Sequence, residues 1–343
     1  MTFKLFLPSI LVLSLTACQI SQTASHAQQT QHVSQATYLV EYQAADHFSL
    51  QADSLAEMFS EYCQADSVDI AEIKQQWHST MLAWMALQGQ ERGPADALAQ
   101  SWNVQFWPDK KNTTGLKMGA LTKQDKVWTA SEIAESSVTV QGLGAIEWML
   151  YDSKSPLTTS KVKACMSATA ISENLANRAD TIEKAWRTNP WTKLDEKTWT
   201  SEYIALLSNQ LEFSMSKLSR PLANIGKPRP YFSESWRSKT SMFNLKANIE
   251  AMQALYLSNG NGLDKMLRDR GLVDLAERVK TQYANLLATW PEEGSLFDLL
   301  QTKEGYRTVL SQYNKMEQLK YLLHDEVSVE LDVVIGFNAT DGD

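Results

Sequence analysis

A carboxylate with a bare position one helical turn before it is the first feature of this chain that could do chemistry. Glu147 lies in the otherwise apolar run Gly142-Leu143-Gly144-Ala145-Ile146-Glu147-Trp148-Met149-Leu150-Tyr151. Its neighbours read as core, and a carboxylate taken into a core needs a partner. Each glycine costs about 1 kcal/mol relative to Ala inside a helix, so the pair Gly142 and Gly144 points to close backbone approach or to access at that face. Residues 144 and 147 are three apart and share a helix face. Glu147 could there orient a cationic or polar ligand group, receive water or a cation from elsewhere in the chain, or serve as a structural carboxylate against an Arg. A lone carboxylate is a poor transition-metal site. Glu147 is therefore the one candidate metal ligand, and no cofactor follows from the residues.

A second constellation is Gly226-Lys227-Pro228-Arg229-Pro230-Tyr231-Phe232-Ser233-Glu234-Ser235-Trp236-Arg237-Ser238. Its prolines predict a rigid loop. A helix is expected to follow, with Ser233 as its cap and Glu234 in its first turn. Ser235, Arg237 and Ser238 then fall near free backbone amides that favour an anion, with Arg229, Arg237 and Lys239 adding positive charge. The alternative is a helix start stitched to the first half by salt bridges. The candidate ligand-binding set is Gly142, Gly144, Glu147, Arg229, Glu234, Ser235, Arg237 and Ser238, with no catalytic residue. Other chemistries lack their motifs: there is no His-Glu-x-x-His, no Gly-x-Ser-x-Gly, no Glu-x-x-His and no Cys-x-x-Cys-His. His47 and His78 have no partner at metal-ligand spacing, and the polar cluster His324-Asp325-Glu326 reads as a solvated helix face rather than a ligand set.

The elements that must position these residues read as helices almost throughout. Apolar residues recur at near 3.6 spacing over 38–64, then over 69–87 behind an Asp69 cap, and over 138–151 and 160–186. After Asn189-Pro190-Trp191 the pattern resumes over 196–218, 234–257, 272–287 and 302–331. No alternating strand series of useful length occurs. The expected fold is all-α: two four-helix-bundle-like halves, 37–189 and 190–343, packed around a central cleft.

Met1 to Ala17 reads as an export signal: Lys4, a short apolar core from Leu5 to Leu15, and the lipobox Leu15-Thr16-Ala17-Cys18. Cys18 is the expected lipidation site, and the following Gln19 favours the outer membrane of a Gram-negative cell. Residues 18–36, rich in Gln, Ser and Thr with His26 and His32, read as a solvated tether. The net charge of −8 argues against nucleic acid as a partner, and a hydrophobic share of 43% is enough for a real core. With Cys18 acylated, Cys63 and Cys165 remain as an even pair in an oxidising compartment and are expected to bond; the alternative is two buried thiols.

The run from Gly142 to Glu147 resembles the Gly-x-His-x-x-Glu signature of the imelysin-like family (peptidase M75), with Gly144 where the family has histidine. The segment from Arg229 to Ser238 is similar to that family's second motif. The Trp77–Pro94 region with Trp107-Pro108-Asp109 is similar to its Trp-rich second helix and loop. The tail Gly336-Phe337-Asn338-Ala339-Thr340-Asp341-Gly342-Asp343 is similar to the ending of its lipoprotein branch, and is expected to dock on the body rather than bind calcium. The resemblance implies two bundle-like halves with a site between them. It also implies a periplasm-facing binding protein linked to iron, with iron or an iron complex as ligand. A metal-dependent peptidase of the imelysin type is the alternative, weakened by Gly144, because hydrolysis would call on the missing histidine. A scaffold for an envelope partner protein is a third reading.

Overall fold

Helices dominate because the apolar stripes have nothing else to pair with. The computed structural model describes residues 31–65 and 68–333; the signal, Cys18, His26 and the expected docked tail lie outside them. Among the described residues there is no strand, only a single antiparallel bridge between Asn224 and Lys227. Nine longer helices among the described residues carry the architecture: α1 (Gln35–Ala65), α2 (Ile70–Met85), α3 (Thr113–Leu121), α4 (Gly142–Tyr151), α5 (Lys161–Trp186), α6 (Glu196–Leu222), α7 (Ser241–Leu257), α8 (Val273–Ala288) and α9 (Lys303–Lys320). Asp69 caps α2 through a capping box with Glu72, which satisfies two otherwise orphaned amides.

Helices α1, α2, α4 and α5 pack together, as do α6, α7, α8 and α9, and α2 lies against α7 to join the groups. The core runs unbroken through both. The Asn189-Pro190-Trp191 connection is a packed corner rather than a loose link. Trp191 packs between Trp186, edge to face, and Trp199, tilted, with ring centroids 5.4 and 5.0 Å away, and Trp199 stacks on Tyr203 at 5.1 Å. Cys63 and Cys165 are joined, their Cα atoms 5.6 Å apart, tying the end of α1 to the start of α5.

Three local expectations need correction. The tether ends sooner than residue 36: His32 Nε2 lies 2.9 Å from the Leu194 carbonyl oxygen, Ser34 is fully buried, and α1 has begun by Gln35. The single helix expected over 302–331 passes into a π-helical turn at Tyr321–Val327 and a last short turn at Ser328–Glu330. The helix expected from Glu234 begins only at Ser241, because Ser235 and Lys239 adopt left-handed φ values of 48° and 62°, which helical L-residues do not tolerate.

Candidate functional site

Helix α4 is seated by its first glycine. Gly142 has φ +64°, and a Cβ on it would lie 2.1 Å from the Val104 carbonyl oxygen; only glycine permits both the conformation and the approach. Before it, Gln141 donates to the Ser136 carbonyl at 2.8 Å. One residue on, the Trp77 indole donates to the Leu143 carbonyl at 3.1 Å. Gly144 differs from Gly142: a Cβ there would meet nothing within 4 Å. The open space beside Glu147 is therefore real, and a larger residue at 144 would fit at its first atom.

Glu147, only 5% exposed, spends its carboxylate on the other half of the chain. Its Oε1 accepts the Arg237 amide at 3.0 Å, the Ser238 amide at 2.9 Å and the Ser238 hydroxyl at 3.0 Å. The free amides foreseen in this segment do attract an anion, but that anion is the protein's own side chain, and the amides belong to a turn before α7. Burial pushes the Glu147 carboxyl above the ordinary carboxylate range; the Ser238 amide, the Arg237 charge and the Ser238 hydroxyl pull it part of the way back.

The Arg237 guanidinium pairs with Asp152 rather than Glu147, Nε to Oδ2 at 2.8 Å. It also donates to Asn112 Oδ1 at 2.5 Å and stacks 4.2 Å over the Trp236 ring. Asn112 can accept it because the 107–112 loop is pinned. The Trp107 indole donates to the Phe232 carbonyl at 3.2 Å, and Asp109 accepts the Thr113 and Thr114 amides at 2.6 and 2.8 Å, capping α3.

Glu234 belongs to a second, deeper cluster. Its Oε2 pairs with Lys217 at 2.7 Å, with both side chains essentially buried. The Lys217 ammonium also donates to Gln88 and Asn248, each at 2.8 Å. Gln88 and Gln105 donate to Glu234 Oε1 at 2.6 and 2.9 Å. Burial drives the Lys217 ammonium below the ordinary lysine range, with the Glu234 charge opposing it. Asn244 donates to Ser235 Oγ at 3.1 Å. Lys217, Gln88, Gln105, Asn248 and Asp152 had not been singled out from the sequence. The available signal for Lys217 was its register: it falls on the buried α6 stripe of Gln210, Ser214 and Pro221.

The structure thus brings Gly144, Glu147, Ser235, Arg237 and Ser238 together, with Glu234 beside them and Gly142 in a seating role. Arg229 is not part of the group; it is exposed, its guanidinium 5.4 Å from the Phe232 ring centre. Ser233 caps no helix, and its buried hydroxyl has no partner. Between Gly144, Glu147 and the 231–237 segment lies a cavity of about 40 Å³, room for a water or two. The donor set does not fit a transition metal. Position 144 supplies no nitrogen, Glu147 Oε1 already accepts three hydrogen bonds, and among the described residues no group of three His, Cys, Asp or Glu side chains could hold a metal ion.

The imelysin family model (peptidase M75) matches residues 39–323. An imelysin-like protein from Psychrobacter arcticum 273-4 superposes with a TM-score of 0.74 at 19% identity, over 89% of this chain and 96% of that one. A putative iron-regulated protein A precursor from Parabacteroides distasonis ATCC 8503 superposes with a TM-score of 0.66 at 15% identity, over 86% of this chain and 94% of that one. No curated protein shows significant similarity to the chain.

Proposed function

Because the chain belongs to the imelysin family, we propose that it is a non-catalytic binding protein of the cell envelope, facing the periplasm and concerned with iron or an iron complex. One observation carries the non-catalytic half of this reading. One oxygen of the motif carboxylate, Oε1, is committed to two backbone amides and a hydroxyl, beside a glycine that offers neither base nor ligand. Hydrolysis needs a group free to activate water, and a cavity of about 40 Å³ admits no peptide. Glu147 acts as a latch that fastens the 235–239 turn to α4, with the Arg237–Asp152 pair as its second point of attachment.

The envelope half draws on the lipobox ending at Cys18, which would anchor the chain to the outer membrane, and on the Cys63–Cys165 bond, which suits an oxidising compartment. Among the described residues no helix is long and apolar enough to cross a membrane. The iron link draws on the family and on the description of the Parabacteroides protein as iron-regulated. The ligand, or a partner protein in its place, is to be found by native mass spectrometry and metal analysis of the protein isolated from its own envelope. The expected result is a lipid-modified Cys18 and an additional non-covalent mass. An unmodified Cys18, or a mass equal to the lipidated polypeptide alone in every preparation, would overturn the reading.

A further inference from the structure

Trp236 and Arg237 form a wall shared by the small cavity beside Gly144 and a larger one of about 420 Å³, a size that takes a ligand or a partner's side chain. Tyr151, Trp236 and Phe297 present rings to the larger cavity, with buried Trp148 behind them. Its rim is apolar as well. Leu116 is 70% exposed and Tyr231 63% exposed. Tyr231 packs edge-on against Trp236 and Phe297, with centroids 5.0 and 4.9 Å away. Scattered exposed apolar residues need no explanation, but a contiguous aromatic patch around a cavity marks an interaction site.

The charge around this cavity runs against that of the chain. The protein carries a net charge of −8, yet Lys154 lies in the cavity wall. Lys110 and Lys111 immediately precede Asn112 of the same wall, and Lys117 follows Leu116. All four lysines are exposed, and none has an ionic partner among the described residues. The neighbouring acids are already engaged: Asp152 by Arg237 at 2.8 Å, Asp298 by Lys239 at 2.9 Å, and Asp109 by the amides that open α3. Unpaired cations beside neutralised acids leave a positive rim, which steers and orients a negative partner.

We infer that this face docks an acidic peptide segment of a partner protein, with an aromatic or leucine side chain entering the cavity and flanking Asp or Glu side chains meeting the lysines. The cavity is concave, so it takes a protruding side chain rather than a flat surface such as a membrane. A small anion would leave Leu116 and Tyr231 uncovered, and a neutral apolar segment would leave the lysines without counter-charge. An aromatic centre inside a charged rim is the anatomy of a protein interface. The inference does not rest on the iron reading or on what Glu147 holds.

The test is fluorescence anisotropy of labelled synthetic peptides, each with one Phe, Trp or Leu flanked by Asp and Glu, titrated with the full mature chain. Matched peptides carry Lys in place of every acid, or Ala in place of the apolar residue; phosphatidylglycerol vesicles and benzoate are the non-peptide comparisons. At least one acidic peptide should bind saturably, and more weakly as salt rises. Ala in the peptide, the double variant Lys111→Glu with Lys154→Glu, and Tyr231→Ala should each weaken binding at least about tenfold. The substituted side chains are exposed, so the variants should melt as the wild type does. Lys280→Glu, at an exposed lysine of α8, should leave the affinity unchanged. Absence of saturable binding by every acidic peptide, equal binding of the Lys peptides, or affinity unchanged in the double variant or in Tyr231→Ala would overturn the assignment. So would an equal loss in Lys280→Glu, or binding of the vesicles or of benzoate in place of the peptides.

Discussion

Replacing Glu147 separates a latch from a reactive centre, because Gln and Ala remove different things. Burial raises the Glu147 carboxyl above its ordinary range despite its three donors, so the folded protein favours the neutral form relative to water. A glutamine keeps an acceptor oxygen at nearly the same place and removes the charge that burial opposes. Glu147→Gln should therefore cost under about 1 kcal/mol. Alanine removes the acceptor altogether. The Ser238 hydroxyl can fall back on the Ser235 carbonyl and Thr240, both 3.0 Å away, but the Arg237 and Ser238 amides lose their partner. At about 1–3 kcal/mol for each unsatisfied group, Glu147→Ala should cost about 3 kcal/mol. Urea unfolding followed by tryptophan fluorescence measures both variants. Limited trypsin digestion should show the bonds after Arg237 and Lys239 opening faster in the Ala variant alone. If Gln costs as much as Ala, the charge and not the acceptor geometry holds the turn; if Ala costs almost nothing, Glu147 fastens nothing. Either result refutes the reasoning.

The paired glycines should part company: Gly142→Ala destabilises by more than about 2 kcal/mol through its left-handed φ and the Val104 carbonyl, whereas Gly144→Ala is neutral or gains up to about 1 kcal/mol of helix propensity, both read by thermal unfolding. Burial pushes the Glu41 carboxyl up to about 8, with the Gln90 amide pulling against it. The folded chain thus keeps this proton over a range in which the unfolded chain, near 4.5, has lost it. The contribution of Glu41 to stability is full below about pH 4.5 and declines by up to about 1.4 kcal/mol per unit toward pH 8; Glu41→Gln should flatten that decline in urea titrations at stepped pH. Lys217→Met leaves Glu234 buried without its cation and should cost about 3–5 kcal/mol, most of it recovered when Glu234→Gln is added, as chemical denaturation of the single and double variants would show.

Periodicity made the helices legible, since a stripe at 3.6 spacing in a chain without alternating runs can satisfy its backbone in few other ways. The two glycines were legible as a cost, but not as different costs: that Gly142 meets a carbonyl while Gly144 faces open space depends on residues 103 and 104, distant in sequence. The Arg229 to Ser238 segment takes a shape other than the expected one. Neither Ser235 nor Lys239 announces a left-handed conformation by its type, so a helix start was expected where a turn occurs, and Arg229 was drawn into a site it does not reach. Lys217 had its register as a signal, but a lysine is ordinarily read as solvated; the packing of α6 against α7 and the groups of Met85 and Gln88 at the end of α2 turn it inward. Asp152, five residues beyond Glu147 and outside the helix, took the arginine that Glu147 was thought to need.

The most direct test of the account is peptide turnover. Purified mature protein and its Glu147→Gln variant are incubated with casein and with short peptides, without metal and with added ferrous iron, zinc or manganese, and product is followed by mass spectrometry. A latch predicts no turnover above buffer by either protein under any of these conditions. Metal-dependent hydrolysis by the wild type that disappears in Glu147→Gln would contradict it and return the site to peptidase chemistry.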